Sequence, residues 1–270
     1  MKKVFSILLM STVIFSCKKD DGGGGATSVA VTGYKLDSGI VAIPTANASV
    51  ALDYSTLSMA SAWKDTQRIP TNTAFTGASY MLSYNTTLLG QTLGISTYYK
   101  NTTSTWEELG DDFGNNVNLS LGGTSATIAN GTMLKNPSLK LANMPVVYND
   151  NFSSNATSSL NISATTSVIT IPITATLNTT ATSSNFAKGT LKLNGYTGTM
   201  NVVIQKYVRN VATSITANPA FQSTINGLLN QYGFINGQQT VTVNEYRYWV
   251  DGKGVVMTLV NGKAYITTGL

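Results

Sequence analysis

Between Ile169 and Leu177 the chain alternates residue by residue. Ile169, Ile171, Ile173, Ala175 and Leu177 fall on one register, and Thr170, Pro172, Thr174 and Thr176 on the other. A period of two predicts a strand with one buried face, and Pro172, which has no N–H to give to a ladder, predicts an edge or a bulge there. Shorter runs bounded by turn residues predict further strands. They cover 28–37, 40–44, 74–84, 89–99, 117–121 and a strand through Ile128, with Ala48, Val50 and Leu52 as a half-buried run. Turns are expected around Asn85, Thr86 and Thr87, at Gly122 and Gly123, and at Asn130 and Gly131, with Gly90 and Gly94 as bulge positions. Residues 56–63 fit either a strand or one or two helical turns.

Further along, 139–148 reads as extended, 154–162 as β-compatible, and 179–184 as a turn region. A hairpin follows, with strands at 186–193 and 199–208 about a turn at 194–198. On its return strand Met200, Val202, Ile204 and Val208 share one face and Asn201, Gln205, Tyr207 and Arg209 the other; Lys206 interrupts the apolar face, its stem leaning outward. Residues 240–250 and 254–260 pair across 251–253, and Asn261 with Gly262 turns the chain into a last strand at 263–268. One helix breaks this run. Asn218 is an N-cap, Pro219 suits the first helical position, and Phe221, Ile225, Leu228, Leu229 and Tyr232 form one stripe before Gly233 stops it. The fold class expected is mainly β: an antiparallel, curved or sandwich-like sheet with one amphipathic helix near 218–232.

Composition supports the β reading, because only 11% of the 270 residues are charged while Thr, Ser, Asn and Gly recur. There is no histidine, which removes His-based triads, His general bases and most zinc sites. Cys17 is the single cysteine, so no intramolecular disulfide forms. The net charge of +5 (17 minus 12) is scattered and falls to +3 without Lys2 and Lys3, too little to point to nucleic acid. No cofactor is implied.

The first residues carry an address. Lys2 and Lys3, the apolar run 4–15 and a small residue before Cys17 have the layout of a secretory signal, and the run is too short to span a bilayer. Ile14-Phe15-Ser16-Cys17 resembles a bacterial lipobox, and Lys18, Lys19, Asp20 and Asp21 resemble the charged export signal of Bacteroidota surface-exposed lipoproteins. The resemblance implies lipidation at Cys17 and an outer-membrane, cell-surface location, with Gly22 to Gly25 as a flexible tether. The expected organisation is a signal peptide at 1–16, a lipidated tether at 17–26 and a single mainly β domain at 27–270, with a sub-boundary near 115–138 left open.

Three sets of residues are candidates for chemistry. Glu107, Glu108, Asp111 and Asp112 put four carboxylates within six residues; they read as a solvated acidic loop, with calcium binding as the alternative. With Asp150 and Glu245 they also supply the carboxylates a polysaccharide hydrolase would need as a facing pair. Tyr80, Tyr84, Tyr98, Tyr99 and Trp106 read as core packing, or as a stacking platform for sugars.

A second resemblance covers roughly 139–260. The run from Met144 to Phe152 has the form P-x-x-Y-x-x-x-F, Gly189-Thr190-Leu191 forms a G-T-L strand, and Tyr248 to Gly254 closes a Y-x-x-x-x-x-G hairpin. Together they resemble a pattern in secreted proteins and surface lipoproteins of Bacteroidota. The pattern is similar, more loosely, to lipoprotein-carrier-type curved half-barrel sheets, which hold apolar ligands against a helix. These motifs imply fold and bring no catalytic residue. The functional expectation is a non-enzymatic, outer-membrane-anchored binding or assembly subunit whose partner is an outer-membrane protein, a glycan or an apolar ligand. The alternatives are the carboxylate hydrolase and a calcium-stabilised adhesion module.

Overall fold

The computed structural model describes residues 32–40, 50–54, 59–65, 68–88, 91–120, 125–165, 169–194, 196–230, 232–260 and 263–268. Cys17, residues 18–21, most of the strand at 40–44, Gly90, Gly122, Gly123, Asn261 and Gly262 lie outside them. The described chain is mainly β, a curved half-barrel of antiparallel strands with one short helix. Thirteen strands join one sheet: β1 (Thr32–Ile40), β2 (Val50–Tyr54), β3 (Met59–Asp65), β4 (Tyr80–Leu88), β5 (Gln91–Asn101), β6 (Thr105–Ser120), β7 (Ser125–Asn143), β8 (Asn151–Thr165), β9 (Thr170–Leu193), β10 (Met200–Ala217), β11 (Gln238–Val250), β12 (Gly254–Val260) and β13 (Lys263–Thr268). From β4 to β13 the order is a meander of sequential neighbours; β1 then pairs with β13, β3 with β1, and β2 runs parallel to the end of β9.

Several strands are longer than the turn signals predict. The turn region expected at 179–184 is the middle of β9, where Thr179, Ala181 and Ser183 face inward and keep the alternation. A run of Thr and Ser is β-compatible wherever neighbours on both sides complete its ladder, and β8 and β10 do so here. The turn signal at Asn130 and Gly131 likewise lies inside β7, beside a register irregularity in its pairing with β6. Asn85 to Thr87 continue β4 rather than turn, and Gly94 pairs regularly with Asn85, the break in β5 falling at Tyr98 and Tyr99. Residues 68–79, expected in part as strand, are a loop that seats Phe75 on Tyr98 at 4.0 Å. Of the ambiguous stretch at 56–63, the part from Met59 on is strand, and residues 56–58 lie outside the described residues. Pro172 is exposed and sits one residue past the last β9 partner of β10, so its missing N–H costs no bond on that side.

The helix, α1 (Pro219–Asn230), begins as expected. Asn218 Oδ1 accepts from the Ala220 N–H at 3.0 Å, and Gly233 leaves the helix at φ 89°. Ile225 and Leu229 are buried, but Leu228 is 44% exposed, so the buried stripe is narrower than the sequence predicts. With Phe234 these residues close one end of the half-barrel over Leu160, Leu177, Val211 and Ile215.

Strands β9, β10 and β11 serve two cores on opposite faces of the sheet. At one end Ala187, Leu191, Val202, Ile204, Tyr248 and Val250 pack with Met257, Leu259 and Ile266. Past the pair Ile204 with Tyr248, burial on β10 moves from even to odd positions, to Gln205, Tyr207, Arg209, Val211, Thr213 and Ile215. Neighbours along a strand face opposite ways, so burial has changed face. On β9 the change is absorbed by Phe186, an extra residue between the pairs Ala187 with Ile204 and Asn185 with Gln205. Phe186 meets Tyr246 edge-on at 6.0 Å on the first face, while Trp249 reaches Gln205 on the second.

Candidate functional site

The concave face of the half-barrel is not purely apolar. Six charged side chains, Glu108, Asp111, Lys135, Arg209, Glu245 and Arg247, are buried together at its middle. They form one chain of ion pairs. Lys135 Nζ lies 3.3 Å from Asp111 and 2.7 Å from Glu108; Arg209 donates to Glu108 at 3.0 Å and to Glu245; Arg247 donates to the other oxygen of Glu245 at 2.6 Å. Three acids and three bases leave the group neutral, as burial requires.

The elements bring these residues together by curvature and by two irregularities. Arg209 on β10 meets Glu108 on β6 although three strands lie between them in the sheet, because the sheet curls back on itself. Arg247 Nη1 and Gln205 Nε2 both donate to the Leu141 carbonyl of β7, at 3.0 and 2.8 Å, and the Tyr207 hydroxyl donates to the Lys140 carbonyl at 2.8 Å. Between the pairs Glu108 with Leu139 and Gly110 with Leu134, β7 carries four residues against one on β6. That excursion begins with Lys135 and holds a cis bond before Pro137. The same irregularity lets Glu108 and Asp111, three positions apart, both reach Lys135.

The acidic stretch expected as a loop is therefore the strand β6, and its carboxylates are divided. Glu108 and Asp111 point inward. Glu107 accepts from Thr105 and Ser138 at 2.7 and 2.6 Å, and Asp112 accepts from Asn72 at 2.8 Å. A calcium loop needs its oxygens converging on one point, whereas here each carboxylate has its own protein donor. Among the described residues no cluster of three or more His, Cys, Asp or Glu is placed to hold a metal. Asp150, the other hydrolase candidate, accepts from Asn143 at 2.8 Å, away from the buried group.

The five predicted aromatics divide in the same way. Tyr80 stacks on Tyr99 at 5.1 Å, Tyr99 on Trp106 at 5.9 Å, and Trp106 meets Trp249 edge-on at 5.7 Å, a ladder running from β4 to β11. Both indole N–H groups are committed, Trp106 to the Tyr80 hydroxyl and Trp249 to Gln205, each at 2.9 Å. Arg247 lies over Trp106 and over Tyr207, at 5.2 and 4.3 Å from their ring centres, which joins ladder to ion pairs. Tyr98 instead stacks on Phe75, and Tyr84 packs beside the helix-capped core.

Burial raises the Glu245 carboxyl, but the charges of Arg209 and Arg247 outweigh it and hold the group at about 2. Glu108 is lowered in the same sense, burial being overcome by Lys135 and Arg209. Asp111 goes the other way, raised by burial and by Glu108 against the pull of Lys135. A carboxylate held ionised is a poor general acid. For stability the sign follows. A lowered value in the folded chain contributes stability that is fully present above the ordinary glutamate value of 4.5 and lost as pH falls through about 2. Urea unfolding in that window should show stability falling with pH, Asp111 opposing the fall, and Glu245→Gln should flatten the slope; an unchanged slope in this variant refutes the assignment.

Sequence reading reached Glu108, Asp111, Glu245, Tyr80, Tyr99 and Trp106 but missed Lys135, Gln205, Tyr207, Arg209, Arg247 and Trp249. The available signal was Val211 and Ile215, which continue the register of Arg209 and mark it as inward. No protein-family model, curated protein or solved structure matches the chain.

Proposed function

We propose that the protein is a non-catalytic binding or assembly subunit, held at the outer membrane by a lipid on Cys17 and presented at the cell surface. The observation that carries the non-catalytic part is the buried ion-pair chain. The interior position where a reacting group or an apolar ligand would sit is filled by six charged side chains that neutralise one another, roofed by the ladder Tyr80, Tyr99, Trp106 and Trp249. Carboxylates engaged in this way serve the fold, and binding is left to the outer surface. The anchoring part rests on residues 14–21, whose resemblance to a lipobox and export signal supplies it.

The test is a tagged full-length chain expressed in a Bacteroidota host. The protein should sediment with membranes, be cleaved by protease added to intact cells, and co-purify in mild detergent with an integral outer-membrane protein or a bound glycan. Cys17→Ala should release it to the soluble fraction. Membrane retention of that variant would overturn the anchor, and polysaccharide cleavage lost in Glu108→Gln or Glu245→Gln proteins that still fold would overturn the non-catalytic reading.

A further inference from the structure

Charge in this molecule is distributed the wrong way round for an ordinary soluble surface. Burying a charge costs several kcal/mol before pairing returns it, whereas exposing one costs almost nothing and keeps a protein dispersed. Six charged side chains are nevertheless inside the half-barrel. One long stretch of the outer face has none, the exposed Lys206 on β10 marking its edge. Over residues 151–165 of β8, 170–184 of β9, 208–216 of β10 and 238–244 of β11 the sole charged residue is Arg209, and Arg209 points inward. The outward positions are almost all Thr, Asn and Ser, with no large apolar side chain beyond Val208 near the margin.

These positions are in register. Asn155, Thr180, Asn210 and Thr242 stand side by side on four successive strands, all exposed. Cross-strand bonds orient them: Thr242 Oγ1 donates to Asn210 Oδ1 at 2.7 Å, and Thr157 Oγ1 to Asn178 Oδ1 at 2.9 Å. In each pair the bond fixes two side chains and leaves the amide Nδ2 donors and the hydroxyl lone pairs uncommitted by it. Rows repeat at the strand spacing of about 4.8 Å, with methyl groups of threonine between them.

We infer that this outer face of β8 to β11 is a docking surface for an uncharged polysaccharide. Nucleic acid and anionic lipid are disfavoured because the patch holds no cation of its own and has only Lys206 at its edge, where a polyanion needs several. A second copy of the chain is disfavoured because the face lacks the aromatic and aliphatic anchors that a stable protein interface needs at its centre. A neutral polymer of hydroxyl groups meets oriented amide donors and hydroxyl acceptors without stripping water from any charge, and ordering of the side chains before contact lowers the entropy cost. This inference rests on the non-catalytic binding reading and names the ligand class and the face.

The experiment is depletion of the full chain from solution by four insoluble neutral polysaccharides, cellulose, chitin, β-1,3-glucan and α-mannan, with the polyanion alginate for contrast. The exposed pair Thr180→Lys and Asn210→Glu changes the face without changing net charge. Wild type should be retained by at least one neutral polymer and not by alginate, and retention should persist at about 1 M salt, where charge interactions are screened within about 3 Å. The double variant should bind roughly tenfold more weakly, the loss of one or two hydrogen bonds. Retention by none of the four overturns the inference, as does retention that the double variant leaves unchanged. If Tyr80→Ala abolishes retention and the double variant does not, the glycan sits on the aromatic ladder, and the binding reading survives without this face. Release of soluble sugar from a retained polymer removes the non-catalytic reading instead.

Discussion

Arg209→Ala should lower the unfolding free energy by about 3 to 5 kcal/mol, enough that the variant is expected to be partly or wholly unfolded at ordinary temperature. The guanidinium holds Glu108 at 3.0 Å and is bonded through two nitrogens to Glu245. Removing it leaves three buried carboxylates against two cations: Glu108 keeps Lys135 and Glu245 keeps Arg247, but the cation between the two glutamates is gone and one interior charge is unbalanced. The alternative of protonating both merely transfers the cost to the proton equilibrium, since both are ionised in the intact protein. Lysine should not restore the loss, because a single ammonium cannot span both partners in the geometry of a planar fork. The control is Lys206→Ala, three residues earlier and exposed, which should change stability by less than about 0.5 kcal/mol. Equal effects at the two positions in urea titrations would mean the buried chain of ion pairs contributes nothing.

The second large effect is expected at Gly110. Its φ is 142°, and a Cβ there would lie 2.2 Å from the Met133 carbonyl oxygen, 3.0 Å from Phe75 Cε1 and 3.1 Å from Leu134 Cα. Two of those three atoms are backbone of the paired strand, so no rotamer change makes room. Gly110→Ala must part β6 from β7 beside Glu108 and Asp111, and a loss above about 4 kcal/mol places it among the exceptional substitutions. Gly114 has φ 80° and nothing within 4 Å of such a Cβ, so Gly114→Ala isolates the backbone strain alone, about 1 to 2 kcal/mol. If the two alanine variants melt together, the close approach of the strands at Gly110 is not what the residue provides.

The parts of the fold legible from sequence are those whose signal is local. The alternation lies on β9 from Thr170 to Leu177, with Ile169 exposed just before it, the hairpin about 194–198 joins β9 to β10, and the cap of Asn218 and stop at Gly233 bracket α1. Each depends on neighbours within a few residues. What was misread depends on partners far away. Thr179 to Ser184 look like a turn until β8 and β10 flank them, and the acids of 107–112 look solvated until Lys135 and Arg209 arrive from other strands. A charged residue in a polar strand carries no mark of burial in itself. Arg209 and Glu108 are 101 positions apart, beyond any window that reads periodicity. The change of buried face at Phe186 was equally hidden, because both faces of β10 read correctly as sets and only the sheet decides which set is covered at which level.

The pairing of β1 with β13 also constrains how the molecule is made. Gly33 lies opposite Thr268, partners 235 positions apart (268 minus 33), and among the described residues β3 joins the sheet through β1 alone. Contacts at such separation form slowly, since the loop they close must first be ordered. A chain delivered from its N-terminus can build the meander from β4 onward as each strand emerges, but its first strand has no berth until the thirteenth has been placed. The first of the described strands is thus the last to be locked into the sheet, after every strand of the meander has found its neighbour.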